Sequence, residues 1–121
     1  MHEFSVATSI ARKLAEVAEQ HQRKLLGATV AIGPMSMVVP ELLSEAWQRT
    51  IKGTDLEGAT LHIDHVPIRA RCRECGAVTE GYDPFVRCQA CASISLAVES
   101  GFELQIVSAE LADSVEETGS P

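Results

Sequence analysis

An α+β fold, with two helices packed on a three-stranded sheet and a small cysteine-bearing insert, is the architecture this sequence predicts. Three observations carry it. Two segments repeat apolar residues at helical spacing, three others alternate or concentrate β-forming residues, and all four cysteines fall between the second and third of those β segments. At 121 residues the chain suits one core of moderate size, so an additional unit must be small and held together by something besides apolar burial.

The first helix begins almost at the N-terminus. Val6, Ile10, Leu14 and Val17 recur at helical spacing beside Ala7, Ala11, Ala15 and Ala18, with Arg12, Lys13, Glu16, Glu19 and Gln20 around the other side. The polar run His21-Gln22-Arg23-Lys24 leads to Gly27 and then to Ala28-Thr29-Val30-Ala31-Ile32, which reads as a strand. Past the Gly33-Pro34 turn, Pro40 suits a first helical position and Glu41 suits the positive end of a helix. The second helix carries an apolar stripe of Leu42, Leu43, Ala46, Trp47, Thr50 and Ile51, and Gly53 is placed to end it. The segments Thr60 to Val66 and Phe102 to Val107 alternate as half-buried strands do, completing the sheet.

Residues 1–66 and 101–112 therefore form the helix-bearing domain. Residues 67–100 form an insert between the second and third strands, with β-like runs such as Ile94 to Val98, too short to fold without a metal or a disulfide. Residues 113–121, with Asp113, Glu116, Glu117 and a final Gly119-Ser120-Pro121, offer little to bury and read as an acidic, disordered tail.

A formal charge of -7 argues against nucleic acid as a partner, and four thiolates on a dication would add further negative charge. Arg69, Arg71, Arg73 and Arg87 gather around the cysteines, but Glu74, Glu80, Asp83 and the thiolates offset them. No apolar run approaches the roughly 20 residues that cross a bilayer, and the opening residues lack the basic and apolar regions of a secretory signal. The expected setting is the cytoplasm, where thiols stay reduced.

Cys72, Cys75, Cys88 and Cys91 form two Cys-x-x-Cys pairs with twelve residues between them and no cysteine left over. Each pair can wrap one side of an ion in a tight turn, giving the closed tetrahedral sulfur site of structural zinc, with no position for water or substrate. A redox dithiol, an iron site of rubredoxin type and a pair of disulfides are the competing readings. Gly76 after the first pair can take the left-handed conformation such a turn wants; Ala92 after the second does so less freely.

The chain's other metal-binding pattern is its beginning. With histidine second, the amine of Met1 and the backbone nitrogen and imidazole of His2 can close fused chelate rings around one ion, and Glu3 can add a fourth nitrogen or oxygen. Ni(II) and Cu(II) favour such flat sets. The bulk of His2 should also preserve Met1. Taken in order, Met1-His2-Glu3-Phe4-Ser5, then Gly33 to Pro40-Glu41-Leu42-Leu43, Glu57-Gly58-Ala59-Thr60-Leu61, the two cysteine pairs and Gly101-Phe102-Glu103-Leu104 resemble the HypA/HybF family up to about Leu111. That resemblance implies a nickel metallochaperone for [NiFe]-hydrogenase maturation. It implies nickel ligands at Met1, His2 and Glu3, zinc at the four cysteines, and a HypB-type GTPase and a hydrogenase large subunit as partners. Members usually have Gly where this chain has Ala92, and often Pro where it has Gln89.

The remaining candidates read structurally. His62 and His65 are three apart on a strand, so they face opposite sides and share no metal. Met35 and Met37 read as packing residues, and Trp47 as a core anchor or, if exposed, a partner contact. No nucleophile with a base, phosphate loop or carboxylate pair supports an enzyme. The alternative function is a zinc-ribbon adaptor that binds proteins without nickel.

Overall fold

In the computed structural model, which describes residues 2–113, the chain runs α1 (Glu3–His21), β1 (Leu25–Ile32), a single 3-10 turn (Pro34–Ser36), α2 (Pro40–Ile51), β2 (Thr60–His65), β3 (Ile68–Cys72), β4 (Val78–Gly81), β5 (Leu96–Ser100) and β6 (Leu104–Leu111). Two three-stranded sheets form, ordered β2-β1-β6 and β4-β3-β5. The expected α+β fold is therefore present: two helices go with the first sheet, and the second sheet lies in the insert between β2 and β6. The expected tail after Asp113 lies outside the described residues, as does Met1.

The chain divides into two compact units. The first, among the described residues 2–30, 39–63 and 106–113, holds both helices. Its core is built by Ala7, Ile10 and Leu14 of α1, Leu43, Ala46, Trp47 and Ile51 of α2, and Leu25, Ala28 and Val30 of β1. Trp47 is 0% exposed and its Nε1 donates to the carbonyl of Ala59 at 2.9 Å, so the core-anchor reading holds and the partner-contact reading does not. The indole needs that acceptor because an unpaired buried N–H would cost about 1 to 3 kcal/mol.

Several details differ from the expectation. The buried face of α1 is Glu3, Ala7, Ile10 and Leu14, while Val6 and Val17 are only half-buried. The helix is rotated so that small Ala7 lets it approach its neighbours, and bulkier Val6 moves to the flank. Leu42 is likewise exposed on α2. β1 starts earlier, at Leu25, and the chain is paired even beyond that, since the N–H of Ala112 donates to Lys24 O at 2.8 Å. β6 starts later than Phe102, which is exposed, because Gly101 turns the chain with φ +116 against the backbone of Ile68. The short run expected at Ile94 forms instead over Leu96–Ser100, leaving Ile94 exposed.

The second unit comprises residues 31–38 and 64–105. β3 alternates strictly: Ile68, Ala70 and Cys72 point inward, and Arg69 and Arg71 point out. Antiparallel register places Arg69 opposite Glu80, and their side chains pair; the Nε of Arg69 also meets Glu99 at 3.3 Å and that of Arg71 meets Glu99 at 3.6 Å. Arg73 donates to the carbonyl of Leu96. These arginines are thus occupied by carboxylates and a carbonyl of the insert's own strands, and Glu99, unremarked in the sequence, is the hub.

Candidate metal centres

Two knuckles of matching geometry present the cysteines. Cys72 ends β3, and the N–H of Gly76 returns to its carbonyl at 3.0 Å; Cys88 lies in the following loop, and the N–H of Ala92 returns to its carbonyl at 2.9 Å. Gly76 has φ +80 and Ala92 has φ +64. Alanine therefore takes the left-handed conformation that its place in the turn demands, at a steric cost of about 1 kcal/mol. In each knuckle the first sulfur accepts two backbone N–H bonds at 3.4 Å, Cys72 from Glu74 and Cys75, Cys88 from Ala90 and Cys91.

The four sulfurs lie within 4.8 Å of one another, with Cys72 to Cys91 at 3.6 Å and Cys75 to Cys88 at 3.5 Å. A tetrahedron with metal–sulfur bonds of about 2.3 Å has sulfur–sulfur edges of about 3.8 Å, whereas a disulfide needs about 2.05 Å. The donor set fits zinc. When bound, zinc supplies folding free energy to a unit whose own core is small.

Electrostatics grade the thiols. The N–H groups of Cys91 and Ala90 hold Cys88 down at about 6, and those of Cys75 and Glu74 lower Cys72 in the same way. At Cys91 the Ser93 N–H favours the thiolate, but the neighbouring Cys72 and burial outweigh it and push the thiol up to about 12. Cys75 is raised likewise: the Ala77 N–H is outweighed by Cys88 and by burial. The backbone N–H groups of the knuckle turns thus favour the thiolate at Cys72 and Cys88, while the surroundings of Cys75 and Cys91 favour the thiol.

At the other candidate site, His2 is the N-cap of α1, with φ -81 and ψ 0, and its carbonyl accepts from Val6 N at 2.9 Å and Ser5 Oγ at 3.0 Å. An N-cap residue's own N–H takes no part in the helix ladder, so the backbone nitrogen of His2 stays available to a metal while its side chain is exposed. Glu3 is the first residue of α1 and is buried, and its Oε2 accepts the N–H of Val39 at 3.1 Å. Hydrogen bonds, first from the amino terminus and then from this N–H, hold its carboxyl down at about 2. Met1, the third residue of the expected nickel set, lies outside the described residues.

The other residues weighed in the sequence stand apart. His62 is exposed with its Nε2 4.0 Å from Glu110 Oε1, His65 is exposed, and Met37, just past the 3-10 turn, is 62% exposed and so does not fill the packing role expected of it. An open groove of about 840 Å3 lined by Ala18, Glu19, Arg23, Lys24 and Asp55 sits at the opposite end of α1 from His2. Among the described residues the cysteines are the only cluster of three or more histidine, cysteine or acidic groups able to surround an ion.

Residues 1–111 match the family described as hydrogenase/urease nickel incorporation, metallochaperone, hypA. The chain belongs to the HypA family. It is 37% identical to the hydrogenase maturation factor HypA of Picosynechococcus sp. over 112 residues, covering 92% of this chain and 99% of that one. The HypA of Nitrosospira multiformis is 34% identical over 112 residues, covering 92% and 97%. Among solved structures, the nickel metallochaperone HypA of Helicobacter pylori superposes with TM-score 0.61 at 25% identity, covering 92% of this chain and 97% of that one. A second HypA solution structure gives TM-score 0.66, covering 94% and 98%. These HypA relatives are maturation factors and metallochaperones, and the adaptor reading without nickel is not favoured. No described helix is long and apolar enough to cross a membrane.

Proposed function

We propose that this HypA family chain binds Ni(II) through Met1, His2 and Glu3, delivers it during [NiFe]-hydrogenase maturation, and holds a structural zinc at Cys72, Cys75, Cys88 and Cys91. The observation that carries the nickel reading is the position of His2 as the N-cap of α1, where its backbone nitrogen is outside the ladder and its imidazole is exposed. A rigid helix start thereby presents a short chelating end. The zinc reading rests on the fit of the four sulfurs to a tetrahedron.

Division of labour follows the chain. Residues 1–66 and 101–112 carry nickel, 67–100 carry zinc, and residues 113–121 are the acidic tail. The protein works in the cytoplasm with a HypB-type GTPase and a hydrogenase large subunit, and it catalyses no reaction. Nucleic acid and membrane play no part. Metal analysis of untagged protein tests this first: one zinc per chain is expected as isolated, and one Ni(II) per chain on titration of protein with its native N-terminus. Protein that takes up nickel only after its zinc is removed would place both metals at the cysteines and refute the scheme.

A further inference from the structure

The four cysteines are not equivalent. Cys72 and Cys88 are buried and each accepts two backbone N–H bonds, whereas Cys75 and Cys91 are exposed. Hydrogen bonds to a thiolate draw off the charge that makes it nucleophilic, and burial keeps reagents away. Both effects protect the first sulfur of each knuckle more than the second, which is exposed and accepts one backbone N–H, from Ala77 at Cys75 and from Ser93 at Cys91. The two exposed sulfurs come from different knuckles yet lie within 4.8 Å, a separation that a small side-chain movement closes to a bond.

We propose that Cys75 and Cys91 are a modification site for peroxides, the reactive edge of the zinc centre, and that their oxidation joins the two knuckles and releases the metal. The inference rests on the zinc reading of the cysteines. One thiolate attacks a peroxide oxygen, the O–O bond breaks, and a sulfenic acid forms with departure of hydroxide. The second thiolate attacks that sulfur and expels the hydroxyl, so a Cys75–Cys91 disulfide forms. Two thiolates lose two electrons, the peroxide gains them, and with two protons two waters result. Only Cys72 and Cys88 then remain as ligands, too few for a structural site. A dithiol reductant reverses the step by exchange. The insert becomes an element that is folded under reducing conditions and lost under oxidising ones.

Full-length zinc-loaded protein treated with hydrogen peroxide, with a chromogenic chelator following zinc and mass spectrometry of alkylated peptides locating bonds, tests this. Cys75–Cys91 is expected as the first disulfide, in step with zinc release. Cys75→His and Cys91→His, each keeping a nitrogen ligand, should slow release at least tenfold. If these variants fail to take up zinc, bond mapping in the unaltered protein still decides. A first disulfide within one knuckle, or zinc retained through peroxide treatment, overturns the proposal. Absence of zinc before peroxide is added would overturn the zinc reading beneath it, an outcome seen separately in the starting metal analysis.

Discussion

The carboxylate of Glu3 accepts the backbone N–H of Val39, joining the first residue of α1 to the residue that caps α2, thirty-six positions later. Val39 has no side-chain cap of its own, so Glu3 supplies from another element the charge that a helix start favours. The same bond fixes the turn from which His2 projects. Glu3→Ala should therefore fray the start of α1, and hydrogen exchange at the Val6 amide, which donates to His2, should quicken. The sign with pH follows from the carboxyl being lowered from 4.5 to about 2. Its contribution is present above the ordinary carboxylate value and fades as pH falls towards about 2. Protection at Val6 should decline over that window in the unaltered protein and show no such decline in Glu3→Ala.

Zinc supplies folding free energy locally, so its removal should act locally. Cys72→Ser or Cys88→Ser, or chelation, should abolish exchange protection across residues 67–100 and leave protection in α1 and α2 largely intact. Equal loss of protection in both units would mean that the zinc supports the whole chain.

Proton release offers a quantitative check on the coupling of zinc binding to folding. The insert unfolds without zinc, so near pH 7.5 its four cysteines should be mostly thiols, at the ordinary value of about 8.5. Zinc binding should then release roughly three to four protons, measured by calorimetry in buffers of different ionisation enthalpy. Affinity should fall as pH drops, because more protons must be displaced.

Ala92 carries a side chain where its counterpart Gly76 carries none, with φ +64. Ala92→Gly should stabilise the zinc-loaded insert by at most about 0.5 kcal/mol, the relief of a left-handed alanine less the entropy a glycine adds to the unfolded chain. Slower zinc loss to a competing chelator would register it.

Much of this was legible in the sequence because it is written in local patterns. Helical spacing located α1 and α2, Pro40 marked the start of α2, and the paired cysteines located the insert. The strained turn at Ala92 was readable from its position after a Cys-x-x-Cys pair. What escaped depends on contacts between distant residues. No local pattern links Glu3 to Val39, or assigns Glu99 to both Arg69 and Arg71 across a strand pair whose register shifts between Arg69 and Ala70. Alternation misplaced the start of β6, because Phe102 fits the period but Gly101 turns the chain beside Ile68. The rotation of α1 escaped for a similar reason: Val6 and Ala7 both fit an apolar stripe, and only packing chooses the smaller.

Calorimetric titration of Ni(II) into three proteins, native, His2→Ala and one extended by a few residues before Met1, tests the central claim most directly. The fused rings require both the free amine and the imidazole, so tight binding should occur in the native protein alone. His2→Ala leaves only weak capture by the amine and its neighbours, and extension turns the amine into an amide that binds poorly. Zinc content and the exchange protection of α2 should be unchanged in all three. The absorbance of a low-spin planar ion should accompany binding only in the native protein. Equally tight binding in all three would contradict the assignment of Met1, His2 and Glu3 and move the nickel site elsewhere.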